Sequence, residues 1–419
     1  MACILKIPTD KSKGVVVFTT QERDNFILGN KGLIKRIESI KNRWRIGLHH
    51  NWHDHDFIYN PLFDFSMAGD GDLREKRGRD FKRINLDACN FSPASFSFSN
   101  KEKHWDILYV ARPVFFKKIP EFFRIIRNLY DKGYFLRVLL ICPLIPKGER
   151  KIIKSKTVYW NIRKDFERIF TTSERKQFNL LTTDYNDDFP FDLETLSFFY
   201  KSSKIFVHSA DNERRCRVIG YAHASGMPVV CMTDSASLLP KKDQREPFVF
   251  IPKNYDHFAK KIIAALKLFD SKGYNEKLMI DSIKVTSEIY TKDLLKKELN
   301  NILSIDGEPA LDNESFNFNN LSLRLGRHHG LGHNNNSIGW SLEKFLNYLE
   351  KQPREYLKND IKENDIETFI TKYSQFGKIS NKINRTINFF YIKSTVVEYF
   401  PFVLKLKRFF YHIIRDIKK

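Results

Sequence analysis

KIFVHSADNERRCRVIGYAHASGMPVVCMTD, residues 204–234, decides the fold. KIFVHSA (204–210) is an apolar run of strand length. A polar turn carrying Glu213 follows it. RCRVIGYAHASG (215–226) has helical spacing and stops at Ser225–Gly226, where glycine favours a helix end. Pro228 then opens a second buried strand, PVVCMTD (228–234). Strand, helix and strand in about thirty residues make the parallel βαβ unit.

The same alternation extends outward. Upstream lie the strand WDILYVAR (105–112), the amphipathic helix PEFFRIIRNLYDKG (120–133) closed by Gly133, and the strand FLRVLLIC (135–142). DFERIFTTSERKQ (165–177) carries helix, FNLLTT (178–183) strand and LETLSFFYKSS (193–203) helix. YDHFAKKIIAALKLF (255–269) is a further helix. Apolar strands interleaved with helices predict an α/β, doubly wound parallel sheet over 105–300. Outside it, residues 1–65 hold one clear strand, GVVVFTT (14–20), a helical stretch to about Asn42 and a His-rich loop. Residues 66–104 crowd Gly, Asp, Ser and Arg without a period, and read as an irregular connection. Residues 301–340, rich in Asn, Gly, Ser and His, read as a linker. Residues 341–419 read as a helical, basic C-terminal region.

A chain of 419 residues suits two or three domains. Its 37 phenylalanines and 42% apolar content are enough for packed cores. The net charge of +21 attracts polyanions: nucleic acid, an anionic membrane, a sugar diphosphate and an acidic glycan all qualify. No zinc finger or aromatic RNA-reading stretch is present, so a specific nucleic-acid partner is not expected. Five scattered cysteines without a C-x-x-C pair argue against a disulfide framework and for a reducing, cytoplasmic compartment. Neither a signal peptide nor a membrane span is legible.

Doubly wound sheets bind ligands at the carboxyl ends of their strands. Arg112 ends one strand, and Lys117 and Lys118 follow at a helix entrance, which suits a diphosphate. Plain surface charge is the alternative. Ser209 and Glu213 sit in the loop after a second strand, with Arg214, Arg217, Val218 and Tyr221 entering the next helix. An acid there can bond sugar hydroxyls, or simply cap the helix.

Together the two stretches resemble the retaining GT-B glycosyltransferases known as glycosyl transferases group 1. That family carries G-R-x-x-x-x-K-G after a strand and, further on, S-x-x-E-x7-E-A-x-A-x-G-x-P-V-V. Here the first reads A-R-P-V-F-F-K-K, and the second runs from Ser209 through Ala222, Ala224 and Gly226 to Val230. IYNPLFD (58–64) is similar to the segment that leads out of the family's N-terminal domain. The resemblance implies that Arg112 and Lys117 hold the donor diphosphate and that Glu213 contacts the donor sugar. It makes those three catalytic, with Lys118, Ser209, Arg214, Arg217, Val218 and Tyr221 as donor-binding positions. It implies a nucleotide sugar as donor, a glycan or lipid-linked acceptor, and no cofactor or metal. Removing Arg112 or Glu213 is then expected to abolish donor binding with the fold intact.

The chain departs from the family in two ways. Tyr221 stands where the second glutamate holds the ribose, and a tyrosine hydroxyl makes fewer such bonds. The stretch before IYNPLFD is much shorter than the family's acceptor domain, which implies a reduced N-terminal lobe. A non-catalytic nucleotide-sugar or glycan-binding module is the alternative function.

HHNWHDHD (49–56) lacks a metal-ligand spacing and, just before the interdomain segment, reads as a substrate-facing loop rather than a metal site, whereas RHHGLGH (327–333) reads as an ordinary loop. The aromatic and basic tail (389–419) either packs on the main domain or makes peripheral contact with an anionic membrane.

Overall fold

The computed structural model describes residues 3–19, 27–49, 60–67, 82–86, 88–142, 162–182, 193–211, 213–239, 242–271, 273–274, 276–304, 316, 318, 321, 325 and 342–351. All belong to the first of two compact units, Met1–Tyr356; the second, Leu357–Lys419, lies outside the described residues, as do the tail and most of both His-rich loops.

The first sheet has strands β1 (Cys3–Lys6), β2 (Gly14–Thr19), β3 (Trp44–His49), β4 (Phe65–Met67) and β5 (Arg83–Ile84), in that spatial order. β1 runs antiparallel to β2, and the others are parallel. Helix α1 (Lys31–Ile40) joins β2 to β3, its first turn capped by the Asn30 side chain, which accepts from the N–H groups of Gly32 and Leu33. Asn is a favoured cap because its oxygen satisfies donors that the helix leaves free.

The second sheet holds β6 (Trp105–Val110), β7 (Val138–Ile141), β8 (Phe178–Leu181), β9 (Ser203–His208), β10 (Val229–Cys231) and β11 (Val249–Phe250), ordered β11-β10-β9-β6-β7-β8. All its pairings are parallel. Its helices include α2 (Ile119–Asp131), α3 (Ile162–Ile169), α4 (Leu193–Lys201), α5 (Arg217–Ala224) and α6 (Phe258–Phe269). In β6, Ile107, Tyr109 and Ala111 face the core shared with α2, α3 and α6. Leu108 and Val110 face the core shared with α4 and α5. Burial on both faces explains why such strands read as continuous apolar runs. The expected doubly wound α/β sheet is present.

The expected domain boundaries move. Residue 65 falls inside β4, and the stretch expected as an irregular connection supplies β4 and β5 to the first sheet. Elements of two or three residues are too short to show a period. Beyond 300, Leu321 and Leu325 are almost wholly buried in the first sheet's core, beside Leu295, Leu299 and Ile302 of helix α8 (Glu288–Ser304). Phe316 bridges Lys6. The expected linker therefore contributes core residues, set singly among polar ones. Helix α9 (Leu342–Glu350) closes the other face: the Trp44 indole donates to the Leu349 carbonyl at 3.2 Å, Phe345 meets Phe18 edge-on, and Arg36 pairs with Glu350.

The chain passes between the sheets twice, side by side. The Ser92 N–H bonds the Thr286 carbonyl, and the Glu288 N–H bonds the Ser92 carbonyl, each at 2.9 Å. Thr286 and Ser287 separate helix α7 (Glu276–Lys284) from α8. The outgoing crossing presses on α5, where a Cβ on Gly220 would stand 2.5 Å from the Cys89 carbonyl oxygen. Backbone cannot yield as a flexible side chain can, so only glycine fits. Gly220→Ala should lose roughly 1–3 kcal/mol in a denaturant titration, whereas Gly29→Ala, with nothing within 4 Å of its Cβ, should stay within about 0.5 kcal/mol of wild type.

Candidate functional site

The second sheet reverses its strand order between β6 and β9, since β7 and β8 add on one side of β6 while β9, β10 and β11 add on the other. Doubly wound sheets take their ligands beside such a reversal, at the carboxyl ends of the strands. Arg112, Lys117 and Lys118 leave β6 at this point, and Ser209 and Glu213 leave β9.

The two loops meet in a buried ion pair. Lys117 is only 8% exposed. Its ammonium donates to Glu213 Oε1 at 2.6 Å and lies still closer to Oε2. His208 Nε2 is 2.8 Å from the same Oε2. Burial would raise the Glu213 carboxyl, but the Lys117 charge and the His208 contact outweigh it and hold the carboxyl well below the usual carboxylate range. Burial lowers the His208 pKa more than Glu213 raises it, so the ring is neutral and its Nε2–H donates to the carboxylate. Its Nδ1 is buried without a hydrogen-bond partner. Burial would also lower Lys117, yet its negative surroundings leave it raised and charged.

The backbone of the β6 loop is fixed from beneath. The buried Tyr109 hydroxyl donates to the Lys117 carbonyl at 2.5 Å. The Ser209 hydroxyl lies 3.0 and 3.1 Å from the carbonyls of Lys117 and Lys118. Tyr255 donates in turn to the Ser209 carbonyl at 3.0 Å. Lys118 is left-handed (φ 53°) and caps α2. Its ammonium pairs with Asp211 at 3.0 Å. Arg112, by contrast, is exposed, and its guanidinium has no hydrogen-bond or ion-pair partner among the described residues. It is near enough for its charge to lower the Lys117 pKa.

The structure thus brings Arg112, Lys117, Lys118, Ser209 and Glu213 together. Arg214, Arg217 and Val218 are partly exposed alongside. Two roles change. Ser209 is buried and faces the backbone of the neighbouring loop, not a ligand position. Tyr221, expected near a ribose, is 3% exposed and stacks on Phe96 at 4.1 Å, with Arg217 bonding its hydroxyl. An apolar ring has been drawn into the core beneath α5.

His208 and Cys216 had no role in the sequence reading. The donor atoms of His208, Glu213 and Cys216 lie within 4.8 Å of one another, close enough to hold a metal ion. The Lys117 ammonium already occupies this cluster, 4.0 Å from the Cys216 sulfur. Burial, with the Glu213 charge, pushes the Cys216 thiol up to about 12, so it stays protonated and a poor metal ligand. The available signal was a histidine at the end of a strand, five residues before the loop acid. Arg215 was also missed as a structural residue. It is left-handed (φ 46°), 5% exposed, and its guanidinium donates to Asn90 in the crossing segment.

No protein-family model matches the chain, and no curated protein matches it in sequence. Among solved structures it is similar to the pneumococcal O-GlcNAc transferase GtfA in complex with UDP and GlcNAc (11% identity, TM-score 0.43, 66% of this chain and 55% of that one). It is also similar to an E. coli structure described as trehalose-6-phosphate bound with UDP-2-fluoro glucose (14%, 0.44, 67% and 72%). A third is the C-terminal domain of a glycosyl transferase group 1 family protein, LpcC, from Francisella tularensis (14%, 0.33, 50% and 98%). The chain spans about half the length of GtfA, the first of these.

The ion pair corrects one expectation: Glu213 cannot be removed with the fold untouched, because Lys117 would be left charged and buried. Glu213→Ala should cost roughly 3–5 kcal/mol, whereas Lys117→Met with Glu213→Leu should recover most of that loss in denaturant titrations. Acid should show the same coupling. A carboxyl whose folded pKa is depressed contributes stability above its unfolded value, ordinarily 4.5, and loses that contribution as pH falls. Stability measured at descending pH below this value should therefore fall more steeply in wild type than in Glu213→Gln, which has no such proton to bind.

Proposed function

We propose that this protein is a GT-B glycosyltransferase that moves a sugar from a nucleotide carrier, with retention, to a glycan or lipid-linked acceptor. The observation that carries the reading is the exposed Arg112 guanidinium, unpartnered among the described residues, beside the buried Lys117–Glu213 pair at the point where the strand order reverses. Breaking a sugar–phosphate bond leaves a nucleoside diphosphate whose terminal oxygen gains charge as the bond lengthens. Cations fixed before the reaction stabilise that charge without reorganising. Arg112 is free to receive the diphosphate, with bidentate geometry available to its guanidinium. Lys117, held in place by Glu213 and by two hydroxyls on its loop, adds a second positive charge close behind. Glu213, kept ionised, sets the position of that ammonium and offers its outer lone pairs to a donor hydroxyl. Arg214 and Arg217 add positive charge at the start of α5. These cations supply the neutralisation that this chemistry needs from the chain's own residues. The nucleotide sugar is the substrate, with no separate cofactor.

Five free cysteines, none of them paired, support a reducing, cytoplasmic setting. Among the described residues no helix is long and apolar enough to cross a membrane.

A second reading has its own support. Tyr221 is packed away where a ribose-holding acid would stand, and the Lys117 ammonium already has a partner. Both suit a module that binds a nucleotide sugar or glycan without turning it over.

A thermal-shift screen against nucleotide sugars tests the binding shared by both readings. A donor present at about 100 times its Kd should add about 2.7 kcal/mol of stability. Arg112→Ala, at an exposed and unpartnered position, should keep the unliganded melting temperature and lose the shift. A panel in which no nucleotide sugar stabilises the wild type overturns the assignment. Slow release of free sugar from the stabilising donor distinguishes the enzyme from the binding module.

A further inference from the structure

The β6 loop carries a feature that the transfer reading does not use. Phe115 and Phe116 are 62% and 43% exposed, side by side on the single turn Phe115–Lys117. We propose that this turn is a lipid-surface anchor, in which the Phe115 and Phe116 rings enter the interface of an anionic bilayer while Arg112 and Lys118 meet its phosphates. The proposal shares Arg112 and Lys118 with the transfer reading but rests on the two rings, which that reading does not use.

The rings are presented, not loosely trailing. The Lys117 N–H bonds the Val114 carbonyl at 3.0 Å, and the Lys118 N–H bonds the Phe115 carbonyl at 3.2 Å. The Tyr109 and Ser209 hydroxyls hold the carbonyls that follow. On this bonded backbone both rings project into solvent. Exposed apolar groups fixed next to one another mark a site of contact.

Charge selects the partner. Lys118 lies 4.6 Å over the Phe115 ring, and Lys117 lies 5.5 Å from the Phe116 ring. Arg112 stands three residues before the pair without a partner. At this rim Arg112 is exposed, and Lys118, Arg214 and Arg217 are partly exposed, with Asp211 beside Lys118; Lys117 and Arg215 are buried in their contacts with Glu213 and Asn90. The chain as a whole carries +21. Apolar rings ringed by cations complement a surface that is apolar below and anionic above. Phenylalanine has no polar tip, whereas a platform for sugar hydroxyls would gain from tyrosine or tryptophan.

The test uses the full chain and flotation with vesicles of phosphatidylcholine, alone or mixed with phosphatidylglycerol. Wild type should float with the mixed vesicles and not with phosphatidylcholine alone. Phe115→Ser with Phe116→Ser should weaken binding by about tenfold or more, since each ring gives up apolar burial, with no change in melting temperature. The basic tail is the same in both proteins, so its own affinity cancels from the comparison. Tyr134 and Phe135, 45% and 63% exposed, lie at the other end of α2, about 20 Å along the helix axis. Tyr134→Ser with Phe135→Ser should bind like wild type. In Phe115→Trp, brominated lipids should quench the added tryptophan. Undiminished flotation of the Phe115/Phe116 double variant overturns the proposal, as does an equal loss in the Tyr134/Phe135 variant. So does a Phe115→Trp emission shifted by soluble oligosaccharide and not by vesicles, which would assign the rings to a glycan instead.

Discussion

The buried contact between Lys117 and Glu213 organises the carboxyl rim of the second sheet. It joins the loops of β6 and β9, strands that lie adjacent in the sheet but 96 residues apart at this contact. A buried pair of this kind is weak evidence for stability, because desolvating two charges offsets most of their attraction. What it achieves is placement. A lysine with one partner and a fixed backbone keeps its charge at a defined depth, while Arg112 lies exposed at the surface, its guanidinium unpaired among the described residues. His208 adds a neutral donor to the carboxylate, so the acid is satisfied on its inner side without a second cation.

Much of the second sheet was legible because its strands are buried on both faces. Runs such as ILYV in β6 and VLLI in β7 leave no polar alternation to confuse them. The first sheet was mostly missed for the opposite reason. β3, WRIGLH, interrupts its apolar positions with Arg45 and Gly47, and β4 and β5 are only three and two residues long. Their pairing is enforced by register with longer neighbours, which a local window does not contain. Leu321 and Leu325 were hidden in a polar stretch because a core contact needs only single side chains at the right points. In the site, the strand ends pointed to Arg112, Lys117 and Glu213 as candidates, the family resemblance implied their roles, and the structure brings the three together. His208 and Cys216 were not, since their proximity to Lys117 exists only once both loops have closed.

Helix α5 shows how one element can trade a polar duty for a packing one. Its Gly220 admits the Cys89 carbonyl, the Ser225 hydroxyl donates to the Phe96 carbonyl at 2.9 Å, and Tyr221 lies flat on the Phe96 ring. Arg215, just before the helix, ties Asn90 of the same segment, and the Asn90 side chain in turn donates to the Val285 carbonyl at 2.6 Å. The crossing chain is thus bonded to α5 along its length and to the returning crossing as well. An acid at position 221 would sit in this layer as a buried charge facing an aromatic ring, at a cost of several kcal/mol without a partner.

That packing limits what the rim can offer. With residue 221 committed to the core, the polar groups α5 can turn toward a ligand are those of its first turn and the loop before it. Arg214 and Arg217 occupy those positions, and Arg217 spends one bond on the Tyr221 hydroxyl. A ligand at this rim would therefore meet positive charge more than carboxylates aimed at sugar or ribose hydroxyls. Such a rim discriminates weakly among neutral hydroxyl patterns and strongly for phosphate, because charge-assisted bonds from guanidinium to phosphate exceed neutral ones by about a factor of two. The same positive charge that is proposed to hold a diphosphate lies beside Lys118 and the exposed rings of Phe115 and Phe116, so one stretch of seven residues, Arg112–Lys118, carries both proposed anionic contacts.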